Sequence, residues 1–145
     1  MIQIFQIEFG TPEYDEAVRL RYEVLRKPLG LEYAPEQLAG EYAEHHLVAC
    51  TADGAIAGYL NLTPLDEENV KMRQVAVAAA RQGQGIGLAM VQESEALARR
   101  LGFRRIVLHA RETAVPFYLR AGYTIVGDRF EEVMIPHFKM EKSLV

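Results

Sequence analysis

At 145 residues with half of them hydrophobic and a quarter charged, the chain has the size and balance of one globular domain with its own core. A formal charge of −4, with no interleaving of basic and aromatic residues, argues against a nucleic-acid partner, and no apolar run reaches the length of a membrane helix. The first residues, Met1-Ile2-Gln3-Ile4-Phe5, carry neither a secretory nor a transit pattern, so a cytoplasmic location and no membrane partner are expected.

Ile2 to Phe9 is rich in β-branched and aromatic residues and reads as a strand closed by Gly10. Thr11 and Pro12 suit a helix cap and first turn, and Tyr14, Val18, Tyr22 and Leu25 recur on one face until Pro28 and Gly30 stop the helix. Pro35 to Glu44 allows a second, short helix. Leu47 to Ala52 and Ala55 to Leu62, joined by Asp53-Gly54, read as a hairpin, and Thr63 to Glu68 as the turn after it. Cys50 is the only cysteine and lies in an apolar run, so it reads as a small core residue, and a cysteine metal site is excluded. His45 and His46 are adjacent in a strand and therefore face opposite ways, a poor arrangement for a shared metal; no metal is expected.

In the next strand Val70 and Met72 share one parity and Val75 and Val77 the other, as a bulge near Gln74 would produce; a strand buried on both faces would also serve. Arg81 to Gly87 then makes a glycine-rich turn, and Leu88 to Leu101 carries a helical pattern stopped by Gly102. Gly83, Gly85 and Gly87 remove side chains where the strand end turns into a helix start, whose free N–H groups and positive dipole favour a phosphate. No Gly-Lys-Ser/Thr follows, so the triphosphatase loop lacks its lysine. A dinucleotide fingerprint starting at Gly83 would need a small residue where Leu88 stands. Residues 1–68 hold 13 acids against 4 bases, whereas 81–111 hold six arginines against Glu93 and Glu95, a local balance suited to an anionic ligand.

Arg105 to His109 is the following strand, Val115 to Ala121 a short helix closed by Gly122, and Tyr123 to Gly127 and Ile135 to Met140 the last strands. The order implies an α/β fold, a mixed and mostly antiparallel twisted sheet flanked by helices, as one domain over residues 1–145.

Gln82-Gly83-Gln84-Gly85-Ile86-Gly87 fits the pattern Gln/Arg-x-x-Gly-x-Gly/Ala and resembles the acyl-CoA pyrophosphate loop of the GNAT superfamily of N-acetyltransferases. Ala114-Val115-Pro116-Phe117-Tyr118 through Gly122-Tyr123 resembles a second segment of that superfamily, in the same order and separation. The resemblance implies acetyl-CoA as co-substrate, direct acetyl transfer to a primary amine of a small molecule or peptide, and a homodimer. It implies backbone contacts to the cofactor at Val75, Ala76 and Val77 and from Gln82 through Gly87, with Ala114 also at the cofactor and Phe117 packing along it or under the sheet. Tyr118 becomes the general acid for the leaving thiolate, since a phenol stays protonated at neutral pH. Arg111 stands where many relatives have asparagine and is assigned a CoA phosphate. Arg21 and Tyr33 are assigned to the acceptor wall. The strand before the loop lacks the glutamate base of some relatives, leaving His109, His137 and Glu132 as base candidates. A CoA-binding module without catalysis and an interaction domain are the alternatives.

Overall fold

The computed structural model describes residues 2–145. Eight strands form one sheet in the order β1 (Gln3–Ile7), β2 (His45–Cys50), β3 (Ile56–Pro64), β4 (Asn69–Val77), β5 (Arg105–Arg111), β8 (Ile135–Ser143) and β6 (Thr124–Ile125), with β7 (Phe130–Glu132) also paired to β8. Every pairing is antiparallel except β4 with β5. That parallel pair needs a crossover, supplied by helix α3 (Ile86–Arg100).

The sheet is covered on both faces. Helix α3 buries Ile86, Met90, Val91, Leu97 and Ala98 at helical spacing and, with α4 (Val115–Arg120), packs on Leu60, Leu62, Val70, Met72, Ile106 and Leu108. Gly58 permits this closeness, because a Cβ there would lie 2.5 Å from Met90 Sδ. Helix α1 (Pro12–Arg21) covers the other face, where Tyr14 and Ala17 meet Ile7, Val48, Cys50 and Tyr59. Thr11 Oγ1 caps α1 by accepting from Tyr14 N–H.

Several boundaries differ from the sequence reading. The first helix does not run unbroken to Pro28. It passes after Tyr22 into a π-helical turn (Tyr22–Arg26) and a 3₁₀ turn (Lys27–Leu29), so the extra residue per turn shifts the residues beyond Tyr22 off the α-helical spacing. The second helix is α2 (Pro35–Ala39) followed by a 3₁₀ turn to Ala43. Helix α3 begins at Ile86 rather than Leu88, directly after Gly85 in the left-handed region at φ 82°. Strand β7 was not anticipated: the turn joining it to β8 is Val133-Met134, both at positive φ (46° and 62°), where glycine or asparagine would ordinarily signal a two-residue hairpin.

The bulge is present. Tyr59 pairs with Ala76 and Asn61 with Arg73, so Gln74 and Val75 together oppose Leu60, and Gln74 takes φ 58°. The slip returns Val75 and Val77 to the α3 side, where they pack with Val70 and Met72. It also parts the sheet: β4 pairs with β5 only from Asn69–Arg105 to Met72–Leu108, beyond which the edge of β4 has no strand partner there.

Candidate functional site

A cavity of about 330 Å³ opens where β4 and β5 separate. Residues 71–75 line it from β4, Leu108, His109 and Arg111 from β5, and Ala114 and Tyr118 from the segment around α4. Leu25 and Arg26 close it from the π-helical turn, and Glu132, Val133 and His137 from the β7–β8 hairpin.

Gly83 and Gly85 both lie in the left-handed region, at φ 80° and 82°, and a Cβ on either would meet nothing within 4 Å. The backbone there is open to an approaching group. The N–H groups of residues 83–88 find no acceptor among the described residues, and no side chain caps α3. A fifteen-residue helix thus presents its positive end and its unpaired donors together, a fit for a phosphate. Gln82 donates through Nε2 to Val77 O at 3.1 Å and ties this loop to the strand end. Gly87 lies beside the Phe117 ring, where a Cβ would sit in ordinary contact at 3.6 Å, so α4 rests on the first turn of α3. The two motifs named from the sequence are therefore in contact.

Tyr118 is buried, edge-on to Phe117 and to Tyr123 with centroids 5.0 and 5.7 Å away. Burial pushes its phenol up to about 12, so it holds its proton throughout the neutral range. It lines the cavity, and no group among the described residues hydrogen-bonds its hydroxyl.

The three base candidates come together. His109 Nδ1 lies 2.9 Å from Glu132 Oε1, and His137 Nε2 lies 3.7 Å from Glu132 Oε2. A carboxylate only accepts, so His109 Nδ1 carries the proton in that bond. His137 Nδ1 donates to Ile135 O at 2.8 Å. Phe130 packs edge-on to His109 and stacks on His137. Burial would raise the Glu132 carboxyl, but the His109 bond and the charges of His109, His137 and Lys71 outweigh it and hold the group below its ordinary value. Lys71, missed in the sequence, stands with Nζ 3.3 Å from His109 Nδ1; burial lowers its pKa, Glu132 opposes the shift, and Arg73 and Lys139 add to it.

Arg21 is not in the cavity. It is fully buried and grips Glu41 through two bonds of 2.7 Å, with its Cζ over the rings of Tyr33 and Tyr59. The acceptor-wall assignment is corrected accordingly: this guanidinium is a strut. Tyr33 reaches the site indirectly, donating to Gln74 Oε1 at 2.9 Å. Arg111 lines the cavity, and its Nη2 donates to Leu25 O at 3.1 Å. His46, expected to be poor for metal, is engaged elsewhere. Its Nε2–H donates to Glu41 O, its Nδ1 accepts from the Tyr59 hydroxyl, and burial keeps it neutral. Among the described residues no group of three His, Cys, Asp or Glu side chains is placed to hold a metal.

A mostly antiparallel sheet that parts beside one parallel junction, with a bare-backbone loop and helix start next to the gap, defines an α/β protein with an anion-ready site at the strand opening. The family model described as "Acetyltransferase (GNAT) domain" matches residues 16–144. The chain belongs to the GNAT acetyltransferase family. It is similar to a mycothiol acetyltransferase of Nocardia farcinica, 45% identical over 63 residues, which are 43% of this chain but 20% of that protein. Across almost its whole length it resembles a solved acyl-CoA N-acyltransferase from Pseudomonas aeruginosa, at 26% identity and a TM-score of 0.83, covering 98% of this chain and 99% of the other. An aminoglycoside 6'-N-acetyltransferase complexed with coenzyme A shares the fold at 17% identity and a TM-score of 0.82, covering 99% and 97%.

Proposed function

We infer that the protein moves an acetyl group from acetyl-CoA to a primary amine by direct transfer, both substrates meeting in the cavity between β4 and β5. The observation that carries this reading is the parting of those strands between the open N–H groups of residues 83–88 and Tyr118. Gly83 to Gly87 would hold the pyrophosphate, and the free edge of β4 from Gln74 to Val77 would hold the pantetheine arm, with Ala114 and Phe117 beside it. Bound there, acetyl-CoA would supply a thioester whose acetyl group can pass to nitrogen.

The chain's own groups supply the proton traffic. Tyr118 keeps a proton on Oη for the departing sulfur. The acceptor arrives as an ammonium with a reference pKa of about 10.4 and must lose a proton. His109 takes it on Nε2, while Glu132 orients the ring through Nδ1–H and offsets the imidazolium charge that results. Backbone N–H groups on the β4 edge polarise the carbonyl under attack. A panel of primary amines, followed by free-thiol release from acetyl-CoA, tests the assignment. Amine-dependent release with formation of the N-acetyl product is the expected result, and binding of CoA without release with any amine points to the binding module instead.

A further inference from the structure

Because Val70, Met72, Ile106, Leu108 and Ala110 face α3, strand alternation turns Lys71, Arg73, His109 and Arg111 to the opposite face. On that side the π-helical turn brings Arg26 into the same cavity wall. Four lysine and arginine side chains therefore line a cavity with one carboxylate, Glu132, which the histidines already occupy. Arg73 is answered by Glu44 at 3.4 Å. Arg26, Lys71 and Arg111 form no ion pair among the described residues.

Arg26 and Arg111 are held in place without being neutralised. Arg111 donates one bond to the carbonyl of Leu25, the residue before Arg26. Arg26 lies over the Tyr33 ring at 4.4 Å and donates to Glu32 O at 3.3 Å. Burial and then the charge of Arg26 both act against the charged form of Arg111, yet a guanidinium does not give up its proton in a protein. Two fixed like charges in a half-desolvated wall are an unmet demand for an anion. With the cofactor's pyrophosphate on the loop of Gly83 to Gly87 at the start of α3, Arg26 and Arg111 are left for another anion, in place of the CoA phosphate first assigned to Arg111.

We propose that the acceptor is a small amine carrying its own anionic group, a carboxylate or a phosphate ester, which Arg26 and Arg111 clamp from the α1 side of the cavity so that the amine points toward His109 and Tyr118. The proposal rests on the acetyltransferase reading and adds the class of acceptor. A cavity of about 330 Å³ suits a metabolite-sized acceptor.

Paired amines that differ in the anionic group test it: β-alanine against β-alaninamide, longer ω-amino acids against their amides, and phosphoethanolamine against ethanolamine, each with acetyl-CoA and the full chain. The anionic member is expected to exceed its neutral partner in kcat/KM by about 10–100-fold, the worth of a charge-assisted contact. Arg26→Gln and Arg111→Gln each collapse that ratio, chiefly through KM, and Arg26→Lys restores part of it. The larger ratio tells carboxylate from phosphate. Neutral amines turned over as well as their anionic partners overturn the clamp and leave the acetyltransferase reading intact. Absence of thiol release with every amine overturns that reading, and the clamp is then decided by calorimetric titration of the same pairs, where equal binding of anionic and neutral members overturns it. Should Arg111→Gln lose the fold with its Leu25 contact, Arg26→Gln decides alone.

Discussion

Arg21 and Glu41 face each other inside the protein, each terminal guanidinium nitrogen 2.7 Å from one carboxylate oxygen. The Tyr14 hydroxyl donates a third bond to the same carboxylate at 2.7 Å. The pair joins the last residue of α1 to the 3₁₀ turn leading into β2. Through Tyr33, which lies against Arg21 and donates to Gln74, it also backs the bulge where the sheet parts.

Glu41→Gln leaves that guanidinium buried without its counter-charge and should cost about 3–5 kcal/mol, read as a lower urea midpoint with an unchanged slope. Arg21→Met combined with Glu41→Leu should recover most of the loss. Burial works to raise the Glu41 carboxyl, but the Arg21 bonds prevail and keep it below its ordinary value. Its contribution to stability is therefore complete above the unfolded value of about 4.3 and is lost as pH falls through the lower folded value. Acid titration of the parent and of Glu41→Gln checks this, the variant losing that part of the pH dependence.

Gly85→Asp places bulk and negative charge where a phosphate would approach, at a φ of 82° that aspartate tolerates better than most residues. CoA binding should disappear while the circular dichroism spectrum persists, since nothing lies within 4 Å of the new Cβ. Titration calorimetry showing parental affinity would reject the loop assignment.

Tyr118→Phe removes one oxygen from a buried ring that packs on Phe117 and Tyr123. Acetyl-CoA affinity should survive while kcat falls by about 10²–10⁴-fold. A parental rate with the best acceptor would make Tyr118 a packing residue and send the thiolate out unprotonated.

A neutral imidazole accepts a proton and an imidazolium cannot, so the rate should rise with pH through the titration of the base. His109→Gln should remove that step. Glu132→Gln keeps the imidazole and loses its orienting carboxylate, so kcat should drop while a step remains. Unchanged pH–rate profiles in His109→Gln, His137→Gln and Glu132→Gln together would mean that the proton leaves through water.

Local chemistry made much of this protein readable before it was folded. Gln82 to Gly87 announced an anion-ready helix start because positive φ, absent side chains and free N–H groups are properties of a few consecutive residues. The shift of parity between Val70-Met72 and Val75-Val77 pointed to the bulge at Gln74, since a strand's period of two makes any slip visible. What depended on distant partners was not readable. Arg21 was assigned to an acceptor wall until the fold placed Glu41, twenty residues on, against it. Strand β7 was hidden because Val133 and Met134 take a turn whose backbone demand their side chains do not advertise.

The base cluster and the arginine clamp belong to tertiary structure altogether. Lys71, His109, Glu132 and His137 sit on four different strands, and Arg26 on a π-helical turn that no periodicity foretold. Their meeting is set by strand order and register: the parallel β4–β5 pair brings Lys71 opposite Val107, and the antiparallel β5–β8 and β7–β8 pairs bring His137 opposite Arg111 and Glu132 opposite Ile135. Sequence alone determined which residues can do chemistry and which stretch can hold a phosphate, because those are properties of side chains and short backbone segments. The fold decided which of them share one cavity, because that depends on hydrogen-bond ladders closing between segments far apart in the chain.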